Sequence, residues 1–143
     1  MSEQRIVAYK DHSRLAASDD YSRLAASGYH SRLAASGDYS QLAASANHSH
    51  LAASGYGSKL VASGYGSHLA ASGYNSQLVA SGDNSVIAAS APGCIAKGAI
   101  GTWIALAEWG NGQCVGFAVG RIGDDGLEPG VYYRALRGKL VPA

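Results

Sequence analysis

Nine copies of one nonapeptide, close to Y/D-x-S-x-L-A-A-S-G, run without interruption from Asp11 to Ala91 of a 143-residue chain. Self-similarity at so short a period implies a solenoid, because no single unit can bury an apolar face alone and each must be covered by its neighbours. Leu recurs at Leu15, Leu24, Leu33, Leu42, Leu51, Leu60, Leu69 and Leu78, Ile87 closes the series, and a serine stands two residues before each. The segment x-S-x-L-A-A is short, is bounded by S-G and does not fit a 3.6-residue period, so each unit reads as one strand and one turn. Strand alternation then places Ser31, Leu33 and Ala35 on one face and Arg32 and Ala34 on the other. The unvarying small and apolar set is expected inside. Gly28, Gly37, Gly55, Gly64, Gly73 and Gly82 fall at the turn, where a left-handed backbone is expected of them; Asp19, Ala46 and Ala91 interrupt that column.

A longer period gives the size of the coil. The second position of the unit reads His12, Tyr21, His30, Tyr39, His48, and the fourth reads Arg14, Arg32, His50, His68 in alternate units against Arg23, Gln41, Lys59, Gln77 in the others. Identities therefore recur every eighteen residues. This predicts an all-β fold: a flattened parallel β-helix with two strands per eighteen-residue coil. A three-sided coil would destroy the matching. Nine units would make four and a half coils, a core of roughly 20 Å at the usual strand separation.

The organisation expected is a cap strand over residues 1–10, a solenoid over 11–98 and a small antiparallel β module over 99–143. In that module Ile100 to Trp109 and Gln113 to Ile122 flank a Gly110-Asn111-Gly112 hairpin signal, and Val131 to Leu136 and Lys139 to Val141 follow. Trp103 and Trp109 are six residues apart on one strand face, which is expected to be buried against the last coil or a second subunit. The small residues Cys114, Gly116, Ala118 and Gly120 would receive the indoles. A net charge of +1 argues against sequence-independent DNA binding driven by phosphate neutralisation. The chain carries no signal peptide or apolar run of transmembrane length, so a cytoplasmic protein with no membrane partner is expected. Cys94 and Cys114 are too few for a disulfide framework and read as buried thiols.

The array from Asp11 to Ala91, the junction Ser90-Ala91-Pro92-Gly93-Cys94, the run Gly98-Ala99-Ile100-Gly101-Thr102-Trp103 and the final Tyr132-Tyr133-Arg134 with Gly138-Lys139-Leu140-Val141 carry a resemblance. The chain resembles short proteins encoded by bacteriophages and prophages, in which S-x-L-A-A-S-G arrays precede a small terminal module. The resemblance implies a phage context, with the bacterial host's cytoplasm as its setting, and supplies no active-site residues.

Chemistry is sparse. Aligned with a calcium-binding β-roll repeat, Ser31 stands where the ligand Asp should be and Ala35-Ser36 where the glycine pair should be, so the oxygen ligands calcium needs are missing. His12, His30 and His48 form one ladder and His50 and His68 another, too widely spaced for a shared zinc ion. Nine equivalent serines mark a packing position, since catalysis requires one distinct, oriented nucleophile. No enzyme, metal or cofactor is expected. The outward surface remains. Arg14, Arg23, Arg32, Tyr21, Tyr29, Tyr39, His50 and Lys59 are the candidate partner-binding residues, Arg and Tyr being favoured at interfaces. Trp103, Trp109 and Phe117 are the candidate anchors of a homodimer through the terminal module. The function expected is non-enzymatic binding to a host protein complex, as an inhibitor of a bacterial defence system of the CRISPR kind. A nucleic-acid partner is a lesser candidate, and a structural phage rod is the alternative.

Overall fold

In the computed structural model, which describes residues 4–143, fifteen strands and no helix form a two-walled parallel solenoid of six coils closed by antiparallel hairpins. One wall stacks β1 (Arg5–Ala8), β3 (Arg23–Ala26), β5 (Gln41–Ala44), β7 (Lys59–Ala62), β9 (Gln77–Ala80) and β11 (Ile95–Gly98). The other stacks β2 (Arg14–Ala17), β4 (Arg32–Ala35), β6 (His50–Ala53), β8 (His68–Ala71), β10 (Val86–Ala89) and β12 (Trp103–Gly110). Leu15 lies beside Leu33 and Leu24 beside Leu42, the eighteen-residue offset read from the sequence. Leucines 24 to 78, Ile87 and the second alanine of each unit fill the core, each at most 8% exposed.

The solenoid is longer than the repeat. Arg5–Ala8 is the end strand of the first wall and pairs with β3 at the same offset, Arg5 beside Arg23. Met1 to Glu3, the start of the expected cap, lie outside the described residues. At the other end β12 continues the second wall with Val86 beside Trp103, an offset of seventeen, so the last coil is one residue short and Thr102 takes the serine position. Strand β13 (Gln113–Arg121) then folds back along β12, and β14 (Tyr133–Leu136) with β15 (Lys139–Pro142) extends the first wall from β11. Ala96 replaces a leucine in the core column, and buried Ile122 and Tyr133 join the core at this end. The Tyr133 hydroxyl accepts the Glu128 N–H at 2.7 Å.

The turns correct the expectation for the glycines. Gly28, Gly37, Gly55, Gly64, Gly73 and Gly82 are not left-handed; a Cβ on any of them would fall onto a turn carbonyl eighteen residues earlier, Lys10 for Gly28 and Gly37 for Gly55. Their task is close approach of stacked coils. The left-handed residue is the second of the unit: His12, Tyr21, His30, Tyr39, His48, Gly57, Gly66, Asn75, Asn84 and Gly93 all have φ between 57° and 77°. That conformation turns the backbone N–H along the rod, so that His12 donates to the Tyr29 carbonyl at 2.7 Å and Tyr21 to that of Asp38 at 2.8 Å. The buried serines point inward as expected, and each Oγ donates to the carbonyl three residues back, as Ser31 does to Gly28 at 2.8 Å. Cys94 occupies the same column and is buried, whereas Cys114 is exposed, contrary to its expected burial. Hairpin strand β13 has no second sheet over its outer face at that point.

Candidate functional site: the histidine and arginine corner

Alternation sends the fourth residue of every unit outward, and the two walls separate them. Arg14, Arg32, His50 and His68 form one column on the second wall; Arg23, Gln41, Lys59 and Gln77 form one on the first. The left-handed residues line the two edges between the walls. Tyr29, His12, His30 and His48 belong to the edge that leads into β2, β4 and β6; Tyr21 and Tyr39 belong to the opposite edge. The eight candidate partner-binding residues are therefore dispersed over two walls and two edges. Arg14, Arg32, His50 and Tyr29 share one side of the rod, and Arg23, Lys59, Tyr21 and Tyr39 the other.

Around that side the geometry concentrates charge. His12, His30 and His48 stack with ring centroids 5.2 Å apart, at interplanar angles of 4° and 10°. One serine further along the chain begins the Arg14, Arg32, His50 and His68 column, in which the two imidazoles lie 4.6 Å apart. His12, Arg14, His30, Arg32, His48 and His50 together line one surface depression. Four of the chain's five histidines thus line one corner, and His68 continues the wall column beside it. Among the described residues neither arginine forms an ion pair; the neighbouring Asp11 carboxylate is occupied by the Tyr29 N–H at 2.8 Å. Nearly parallel rings cannot aim in-plane nitrogen lone pairs at a common point, so the first ladder is a row of separate donors and acceptors. A shallow groove floored by Ala16, Ala34, Ala52, Ala70 and Ala88 runs beside the Arg and His column.

Desolvation, and then the charges of His68, Arg32, His30 and His48, hold His50 below the ordinary imidazole range. As pH falls, the unfolded chain therefore takes up this proton before the folded chain does. The stability His50 contributes is complete above the unfolded value of 6.5 and is lost as pH falls from there through the lowered folded value. The melting temperature is expected to drop between neutral pH and pH about 5, and His50→Gln to reduce the drop. A melting curve series with the same pH dependence in wild type and variant would contradict this.

The other edge is structural in character. Tyr21 stacks on Tyr39 at 5.4 Å, and Tyr39 meets Tyr56 edge-on at 5.6 Å, so neighbouring rings cover part of each other's faces. A role that the sequence reading missed falls to the first residue of the unit. Asp11, Asp20, Asp38 and Asn47 each accept, at 2.8 Å, the backbone N–H eighteen residues ahead, clasping one coil to the next. The signal was the recurrence of Asp and Asn in that column.

Trp103 and Trp109 do point to one side, but that side is the outer face of the second wall, where they are 50% and 39% exposed. The small residues expected to receive them lie elsewhere: Gly116 and Ala118 face Glu108 and Leu106, and Gly120 faces Ile104, on the inward side. A register shift between Glu108 and Trp109 sets Trp109 beside Cys114. The Trp109 indole N–H donates to the Ser90 carbonyl at 2.8 Å, which ties it to its own chain. Phe117, 54% exposed, stands on the same outer face with Val115 and Val119.

The fold and this corner define a class, a two-walled β-solenoid carrying side-chain ladders at its edges and an antiparallel β end. The chain matches no protein-family model, no curated protein and no solved structure. No helix among the described residues is long and apolar enough to cross a membrane.

Proposed function

We propose that this chain acts by binding, with the histidine and arginine corner as its contact surface and an acidic protein surface of a bacterial host complex as its partner. The observation that carries the reading is the alignment of Arg14, Arg32, His12, His30, His48 and His50 along one corner, with no ion-pair partner for either arginine among the described residues. Strand pairing fixes the backbone beneath these groups before any partner arrives, so the ordering entropy that opposes association is that of the side chains. Catalysis is disfavoured by the use already made of the column serines, whose hydroxyls are spent on turn carbonyls. The resemblance to phage and prophage arrays supports a defence complex, of the CRISPR effector kind, as the host target, with the chain as its inhibitor.

The test is plaque formation on defended and undefended hosts that express the protein. Wild type should restore plating on a defended host, and Arg14→Glu with Arg32→Glu should abolish the rescue. Gln41→Glu on the opposite wall should leave it unchanged. Losing two interface arginines corresponds to about 2 kcal/mol or more, some thirtyfold in affinity. Absence of rescue across defence-positive hosts would overturn the inhibitor reading. Recovery of the protein in purified virions would instead favour the second reading, a structural rod, which the exposed Trp103, Phe117 and Val119 at the carboxyl-terminal end support.

A further inference from the structure

The second wall ends on an unprotected edge. Strand β13 is its terminal strand and pairs on one side only, with β12. Of its nine residues only the last, Arg121, is charged; Gln113 to Gly120 carry no charge and no proline, and Val115, Phe117 and Val119 alternate along its outer face, each more than half exposed. The other sheet ends differ. The outermost strand of the first wall, β15, contains Lys139 and Pro142, and its partner β14 contains Arg134; at the amino-terminal end β1 contains Arg5 and β2 contains Arg14. Charges and prolines at such ends discourage edge-to-edge pairing, and an apolar edge without them invites it.

We infer that a second copy of this chain covers the β13 edge, the two β13 strands pairing antiparallel about a two-fold axis at Phe117. The occupant follows from the strand's own symmetry. Pairing centred on Phe117 sets it opposite its copy, Val119 opposite Val115 and Arg121 opposite Gln113, so no like charges meet and β-branched residues face one another; the register shift that leaves Val115 unpaired on β12 falls near the end of this overlap. Main-chain hydrogen bonds would supply the affinity and the outward side chains the register. The two second walls would become one sheet, and a corner of Arg14, Arg32 and the histidines would remain free on each half. The assembly would be bivalent toward a partner, as two-fold dimers commonly are.

Light scattering on the full chain at micromolar concentration should give twice the 14.6 kDa chain mass. Because residue 117 meets its own copy, Phe117→Lys and Phe117→Glu should each weaken self-association at least tenfold. An equimolar mixture of the two should restore the dimer through opposite charges. Circular dichroism of each variant confirms that the coils remain folded. A wild type at chain mass would overturn the inference, as would a dimer that Phe117→Lys leaves intact. A mixture that stays monomeric would also overturn it. Dissociation by Trp103→Ala without rescue in the lysine and glutamate mixture would replace strand pairing by stacking of the outer faces.

Discussion

Gly55→Val should unfold the middle of the rod, at a cost of more than 3 kcal/mol, although its backbone angles suit any residue. The added Cβ would fall onto the Gly37 carbonyl of the coil below. That carbonyl already accepts the Ser40 hydroxyl at 2.9 Å, and the pairing of β5 with β7 holds the coils at strand separation, so the turn cannot simply lift. Gly55→Ala should cost less, about 1 kcal/mol, since Ala46 and Ala91 already carry a Cβ in this column. Without the contact, alanine would have stabilised the chain by limiting the unfolded state. Gly57 supplies the contrast. It is left-handed at φ 66°, and its Cβ would meet only the Tyr39 ring. Asn75 and Asn84 already occupy that column in the same conformation. Gly57→Asn should therefore stay within about 1 kcal/mol of wild type. Denaturant titrations of the three variants decide it: equal costs for Gly55→Val and Gly57→Asn would show that backbone conformation, not coil contact, selects the glycines.

Leu60→Ala should remove about 3 to 4 kcal/mol, near the upper part of the range for buried leucines. Leu60 is fully buried, stacked between Leu42 and Leu78 in its own wall. Strand hydrogen bonds on both sides prevent the coil from collapsing into the space, so most of the cavity should persist. Each coil is stabilised chiefly by its neighbours, and a defect in the middle weakens two interfaces at once. The loss should appear as a lower midpoint in urea. An unchanged midpoint would mean that the leucine column contributes less than its burial implies. Leu15, at the less covered amino-terminal end, should cost less when shortened to alanine, because it is only partly buried in the folded state.

Much of the fold was legible because strand parity is local. A side chain two residues along a strand returns to the same face, so the sequence by itself determined that serine, leucine and the second alanine go inward and that Arg14, Arg32, His50 and His68 form one outward column. The even and odd identities likewise determined the eighteen-residue coil, since only stacked neighbours share a column. Three matters were decided by the tertiary structure. The glycines answer to backbone from the neighbouring coil, a contact that no local preference reports. The two histidine ladders meet because the chain bends into its strand between His48 and His50, so that an edge column and a wall column converge on one corner. The indoles face outward because β13 returns along β12 with Gly116, Ala118 and Gly120 turned to the inside, and inside or outside is set by which side of the hairpin the last coil covers. Alternation tells which residues share a face; only the packing of distant segments tells what that face meets.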